Sequence, residues 1–271
     1  MTIAEISINN LPEGADTKQY DLLLAVAPGF FAYTIADSGN QVLLFEKFAL
    51  PATGWGAFNP ANEPGGWLNR AYRKVKVAYF SAETITLPAK LYNPAGAGEQ
   101  LDLVYGDTGE DILLNDFINH RSLYCLYRVQ KDLVRTVARQ FPLASAWHTQ
   151  SLLLGRKNTP SEQDTLHINF LADACSFMLH KNGQLCTVKS FAYSHIPDVA
   201  FTLLAFCQLH GVDAGSVQLT AGGWIGSGSP MHEELRKYFL HTSFAEYPAL
   251  PAGFEQFAPH FFELFYLLQK V

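Results

Sequence analysis

A three-strand pattern that occurs twice is the strongest constraint in this sequence. In its first occurrence a compact apolar run at 22–26 is followed by "FFAYTIAD" (30–37) and, after Ser38-Gly39-Asn40, by "QVLLFEKF" (41–48). Short β-rich runs broken by Gly, Pro and Asn read as consecutive antiparallel hairpins. The stretch "DTLHINFLADACSFMLHKNGQLCTVKSFAY" (164–193) repeats the layout: strand, break at Ala172-Asp173, strand, turn at Lys181-Asn182-Gly183, strand. The same interval, 143 residues, separates Asp21 from Asp164 and Asn40 from Gly183. Few letters coincide, among them Gln41 with Gln184, Phe48 with Phe191 and Ala49 with Ala192, so the pattern recurs better than the residues do. Any two meanders share part of such a layout, and pattern alone leaves duplication and coincidence both open. The polar stretch "GRKNTPSEQD" (155–164) is the expected link between the two halves.

The segments after each meander extend the parallel. Beyond the second, Pro197 and Asp198 suit a helix start, Phe201, Leu204, Ala205 and Leu209 recur at helical spacing, and Gly211 supplies a stop. A short strand "SVQLTA" then leads into the glycine-rich turn "GGWIGSGSP", with Ser229 as N-cap and Pro230 opening the helix of "MHEELRKYFL". In the first half, "KVKVAYFSAETITL" (74–87) and "DILLNDFI" (111–118) read as strands, and Val129, Leu133, Val137 and Phe141 mark a helix ended by Pro142. The segment "TGWGAFNPANEPGGWLN" (53–69) is expected to be a long, irregular surface loop. At the end of the chain, "APHFFELFYLLQKV" puts Phe261, Leu264, Phe265 and Leu268 on one helical face, for the core or for a partner.

Composition narrows the function classes. With 48% hydrophobic and 16% charged residues over 271 positions, the chain is globular, with room for a sizeable core. A net charge of -6 without a Lys/Arg-rich run argues against nucleic acid as a partner. The first residues have neither the basic start nor the apolar core of a secretory signal, and no apolar run approaches the roughly 20 residues of a membrane span. Cys125, Cys175, Cys186 and Cys207 form no C-x-x-C pair, which points to a reduced, cytoplasmic protein without a zinc knuckle. None of the nine histidines falls in an H-E-x-x-H arrangement, and no P-loop, dinucleotide fingerprint or nucleophile elbow occurs.

Three hairpin-linked strands, a crossover helix, a strand, a Gly-Gly turn and another helix resemble the ribonuclease-H-like half of actin-like ATPases. Two such halves make the sugar kinase/actin superfamily. The stretch running from "LHINFLADACSF" to "LTAGGWIG" also resembles a Bacteroidetes family of unknown function, whose fold is similar to that of pilus-assembly and secretion-platform members. The likeness covers roughly 20–50 and 74–240 and rests on element order and "LTAGG", not on a catalytic motif. It implies an α/β fold of mixed sheets with a first half at 1–155, a second at 156–271, and a small subdomain inserted in the first half at about 74–120.

In active members of that superfamily the first hairpin of each half carries an Asp, which organises Mg²⁺, and glycines that let main-chain N–H groups approach the phosphates. Here the first hairpin reads Ala25-Val26-Ala27-Pro28-Gly29-Phe30: no acid, a proline that removes a donor, and bulk at Phe30 and Phe31. The second reads Ile168-Asn169-Phe170-Leu171-Ala172-Asp173, with Asn169 at the expected Asp position. The resemblance leaves Gly222, Gly223, Gly226 and Ser227 as the cofactor-binding set for ATP, acting through main-chain groups at a helix N-terminus; its other reading is a tight turn with Trp224 as a core plug. No catalytic or metal-binding residue is assigned. The expectation is a catalytically silent actin-like binding or scaffold protein with a protein partner. The alternative is a working ATPase or small-molecule kinase with relocated Mg²⁺ ligands, for which Asp173, Asp37 and the 221–228 turn are the candidates.

Overall fold

A computed structural model describes residues 4–49, 65–107, 109, 111–156 and 163–271. The chain opens with β1 (Ala4–Asn9), β2 (Asp21–Ala27), β3 (Phe30–Ala36) and β4 (Val42–Ala49). The last three form the expected meander, with Leu24 opposite Tyr33 and Thr34 opposite Phe45, and β1 pairs with the outer side of β4. Gly29 at φ +75° and Asn40 at φ +67° supply the left-handed positions that the two turns need. Both faces of β2 and β3 are covered, and for that reason "LLLAVA" reads as an unbroken apolar run instead of an alternation.

β5 (Lys74–Tyr79) joins this sheet parallel to β2, and β9 (Ser145–His148) joins parallel to β5. Between them lie β6 (Thr84–Pro88), α1 (Ala97–Tyr105), β7 (Ile112–Ile118), β8 (Leu123–Val129) and α2 (Lys131–Gln140). The three strands make a separate sheet in the order β6-β8-β7, with α1 seated on it through Ala97 and Leu101 against Leu87 and Leu126. The inserted sheet thus starts at β6 and runs through β8, later at both ends than the 74–120 expected: β5 is a strand of the main sheet, and β8 is needed to join β6 to β7.

The short helix α3 (Thr149–Leu154) precedes the second meander, β10 (Thr165–Phe170), β11 (Ala174–Lys181) and β12 (Gln184–Ala192). Asn182 and Gly183 both have positive φ, the signature of a tight two-residue hairpin. Then come α4 (Ile196–His210), β13 (Gln218–Gly223) parallel to β10, α5 (Pro230–Arg236), β14 (His241–Phe244) parallel to β13, and α6 (Glu263–Gln269). Gly211 ends α4 at φ +63°, and the Ser229 side chain caps α5 by accepting the His232 N–H. The sheet orders β4-β3-β2-β5-β9 and β12-β11-β10-β13-β14 are one topology used twice. In the second half α4 makes the crossover to the parallel strand. In the first half residues 50–64, including most of the 53–69 loop, lie outside the described residues; of the rest, Trp67–Asn69 form one 3-10 turn.

The halves exchange their last helices. α3 packs on β11 and β12, α6 packs on β2 and β5, and the two helices touch. Alternate residues of β2 therefore serve different cores: Leu22, Leu24 and Val26 face α2, while Leu23, Ala25 and Ala27 face α6. Buried Lys76 on β5 caps α6, donating from Nζ to the carbonyl oxygens of Leu268 (3.2 Å), Gln269 (2.9 Å) and Val271 (2.6 Å). A cation at these orphan carbonyls satisfies them and complements the helix dipole. Among the described residues no helix is long and apolar enough to cross a membrane.

Candidate functional site

The two meander tips are where the superfamily resemblance would put phosphates. At the first, Ala27 and Phe30 are buried and Gly29 turns the chain. Phe30 points into the apolar layer between the halves, as does Phe45 from β4. The Phe45 ring lies 5.0 Å from Phe262 and 5.7 Å from Trp224, and Trp224 lies 5.6 Å from Phe261. Phe257 and Phe265 close the same cluster. Lys47 sits over the Trp224 ring at 5.4 Å while pairing with Glu5. The space between β4 and the glycine turn of the second half is thus filled by the chain's own aromatic segment ahead of α6. At the second tip, Leu171 is buried, and Asp173 is exposed, its carbonyl accepting the Tyr193 N–H.

Next to this layer lies a buried carboxylate. Glu263, the first residue of α6, is fully inaccessible and faces the sheet of the second half. Its Oε1 pairs with Arg156 and with His167 Nε2 (2.8 Å) and accepts the Tyr247 hydroxyl (2.9 Å); Oε2 accepts the Asn169 amide (2.8 Å). Burial alone would favour the neutral acid. The His167 charge and hydrogen bond, Arg156 and Asn169 outweigh it and hold the carboxyl down to about 2. Asn169, at the position where the resemblance expects an Asp, is thereby committed to the chain's own Glu263.

The glycine turn is shaped by the same group. A Cβ on Gly222 would overlap the Glu263 carboxylate, and a Cβ on Gly223, at φ +75°, would overlap the Phe170 carbonyl, which accepts the Trp224 N–H (2.9 Å). Gly226 is half-buried beside Phe261, and Ser227 is exposed. The N–H of Gly228 donates to His232 Nδ1 (3.0 Å), and that of Ser229 to the Gly226 carbonyl (3.1 Å). Of the four residues singled out from the sequence, Gly222 and Gly223 are closed in by protein atoms, and Gly226 and Ser227 border solvent. Asp37 closes the β3–β4 turn, its Oδ1 accepting the N–H groups of Gly39 (2.8 Å) and Gln41 (2.9 Å), at the far end of β3 from the Pro28-Gly29 tip. Among the described residues no three His, Cys, Asp or Glu side chains converge as a metal site.

A second buried cluster joins the insert to α3. Asp116 on β7 accepts the main-chain N–H of His148 (2.7 Å) and the Tyr127 hydroxyl (3.2 Å), and burial pushes its carboxyl up to about 6. The His148 ring accepts the Gln150 N–H at Nδ1 (3.1 Å), which leaves Nε2–H to donate to the Ser81 carbonyl (3.1 Å); burial pushes this histidine down to about 3. Burial likewise pushes the Cys125 thiol up to about 12, which disfavours its thiolate. Sequence reasoning passed over Glu263, Arg156, His167 and Tyr247. One signal was available, a lone acid inside the apolar run "FFELFYLL".

No curated protein matches the sequence. Residues 13–242 match the family described as "Protein of unknown function (DUF3822)". Among solved structures, a Bacteroides thetaiotaomicron protein of actin-like ATPase fold and unknown function aligns with a TM-score of 0.74 at 15% identity, over 90% of this chain and 97% of that one. The PilM–PilN type IV pilus biogenesis complex aligns with a TM-score of 0.57 at 12% identity, over 94% of this chain and 98% of that one. The cytoplasmic domain of EpsL, an inner-membrane component of the type II secretion system of Vibrio cholerae, reaches 0.46 at 12% identity, over 74% and 80%. The chain has the actin-like ATPase fold.

Proposed function

We propose that this chain, which belongs to the DUF3822 family of proteins of unknown function, is a binding or scaffold protein that keeps the actin-like frame without turning over nucleotide. The observation that carries this reading is the position of Glu263: its carboxylate occupies the space beside Gly222 and holds the Asn169 amide. Phosphoryl transfer needs cations and preorganised donors around a growing negative charge. Here a buried carboxylate has consumed those donors, and the first tip offers Pro28 where a donor is wanted. Association with a protein partner is what this frame does in the PilM–PilN complex, and a protein partner fits a chain whose interdomain space is filled by its own side chains.

The competing reading, an ATPase or small-molecule kinase with Asp37, Asp173 and the 221–228 turn as its candidates, requires an acid beside the phosphates. Asp37 is engaged by its own turn, roughly 23 Å along β3 from the first tip at about 3.3 Å per residue. Residual nucleotide contact would fall to the main-chain groups of Gly226 and Ser227. Mg-ATP turnover measured beside a thermal-shift titration with ATP and ADP tests the proposal. The expected outcome is no turnover. Turnover that is lost in Asp173→Ala or Asp37→Ala would overturn it.

A further inference from the structure

Gln269, the last residue of α6, has a side-chain amide that bonds to no protein group. Its main-chain carbonyl accepts a hydrogen bond from Lys76 (2.9 Å), which fixes the backbone there. The amide nitrogen and oxygen are both buried without a partner, and no other side chain among the described residues has two such atoms. A buried amide left unbonded costs stability until a group with a matching donor and acceptor reaches it.

The same residue lines an open cleft of about 440 Å³, within the range of small-molecule sites. The β3–β4 turn forms one side of this cleft and the stretch after β14 the other. Glu263 starts α6 beside Gly222, and Gln269 ends it roughly 9 Å further along the axis at about 1.5 Å per residue, so the cleft is separate from the glycine turn. Asp37 borders the cleft with one carboxylate oxygen in reserve: Oδ1 accepts the N–H groups of Gly39 and Gln41, and Oδ2 accepts nothing among the described residues. Tyr247 and Tyr266 stack at 4.7 Å and, with Pro248 and Pro251, supply the apolar wall.

We propose that this cleft binds a nucleoside with an adenine base, Gln269 taking the base edge and Asp37 the ribose. A glutamine amide pairs through two hydrogen bonds with the neighbouring donor and acceptor of adenine. A carboxylate accepts hydrogen bonds from ribose hydroxyls, and the flat base lies along the tyrosine pair. Gln269 lines the cleft, so rotation about its side-chain bonds carries the amide from its buried position to the base. Water bonds an amide or a carboxylate; a nucleoside meets both and covers the apolar wall as one molecule. Binding here involves no turnover, so the inference stands apart from the scaffold reading.

Isothermal titration with adenosine, purine riboside and 2′,3′-dideoxyadenosine, beside thermal melts, tests this on wild type and Gln269→Leu. Adenosine should bind wild type at one site and raise its melting temperature. Purine riboside lacks the exocyclic amine that faces Gln269, and dideoxyadenosine lacks the hydroxyls that face Asp37. Each should bind at least about tenfold more weakly than adenosine. Without ligand, Gln269→Leu should melt no lower than wild type, because it removes an unbonded amide, and its affinity for adenosine should fall by at least about tenfold. Should that variant misfold, the two altered ligands decide alone. No saturable binding of adenosine up to about 1 mM overturns the proposal. So does adenosine affinity that is unchanged in Gln269→Leu, which would move the ligand to the Gly226–Ser227 turn, or equal affinity for adenosine and dideoxyadenosine.

Discussion

Glu263→Gln should destabilise the protein by about 3 kcal/mol at neutral pH, and that difference should shrink as the solution is acidified. The glutamate is fully buried and its carboxyl is held at about 2 against an ordinary 4.5. That gap is worth about 3 kcal/mol in favour of the ionised form. Removing one partner of a buried ion pair costs about 3–5 kcal/mol, in the same range. The sign comes from the direction of the shift. A carboxyl whose folded value lies below its unfolded value stabilises fully above about 4.5, and the contribution drains away as pH falls from there toward about 2. Below that, wild type carries a neutral Glu263 beside the same Arg156 and His167 that glutamine would face, so the two stabilities converge. Urea unfolding of both proteins at a series of pH values from neutral to about 2 gives the difference directly. A gap below about 0.5 kcal/mol at neutral pH, or one that does not change with pH, would refute the electrostatic account and leave only packing.

Lys76→Met should lower stability by about 2 kcal/mol in thermal unfolding, because three carbonyls at the end of α6 lose a charged donor; no change would mean that water replaces it. Gly223→Ala should cost more than about 2 kcal/mol, since its Cβ meets the Phe170 carbonyl at a left-handed φ, whereas Gly226→Ala, with only van der Waals contact to Phe261, should stay within about 1 kcal/mol. Equal losses at the two positions would show that the turn is held by something other than this close approach.

The frame was legible because it is written in local chemistry. Three of the four turns between meander strands carry a marker, Pro28-Gly29, Asn40 and Asn182-Gly183, and each such residue has the positive φ its turn needs or stands beside one that does; the β10–β11 turn at Leu171–Asp173 has none. The covered strands announce themselves as unbroken apolar runs, and α4 and α5 carry their stop and start residues. The inserted sheet was harder. β5 and β6 form one continuous β-rich stretch in "KVKVAYFSAETITL", and only the pairing of β5 with β2 shows that the chain changes sheets at Phe80–Glu83. No residue type marks such a change, because both sheets accept the same side chains.

The site was illegible for a different reason: its members are distant in sequence and ordinary in kind. Arg156 stands in the polar link, Asn169 and His167 in a strand, Tyr247 in an irregular stretch, and Glu263 in the closing helix. They meet only because each half lends its last helix to the other, which lays α6 across both sheets and brings its first residue under Gly222. From sequence the paired glycines point to a ligand, since a missing Cβ signals close approach of something. Close approach does occur, with Gly222 open to a carboxylate and Gly223 to a carbonyl. The visitor is the chain's own Glu263, whose burial is favourable only with Arg156, His167, Asn169 and Tyr247 all in place. A buried ion cluster that draws on the link, the second sheet and the closing helix at once ties the two halves into one unit. On the proposed scaffold reading that coupling gives a partner a rigid surface, and it works against halves that open and close around a nucleotide.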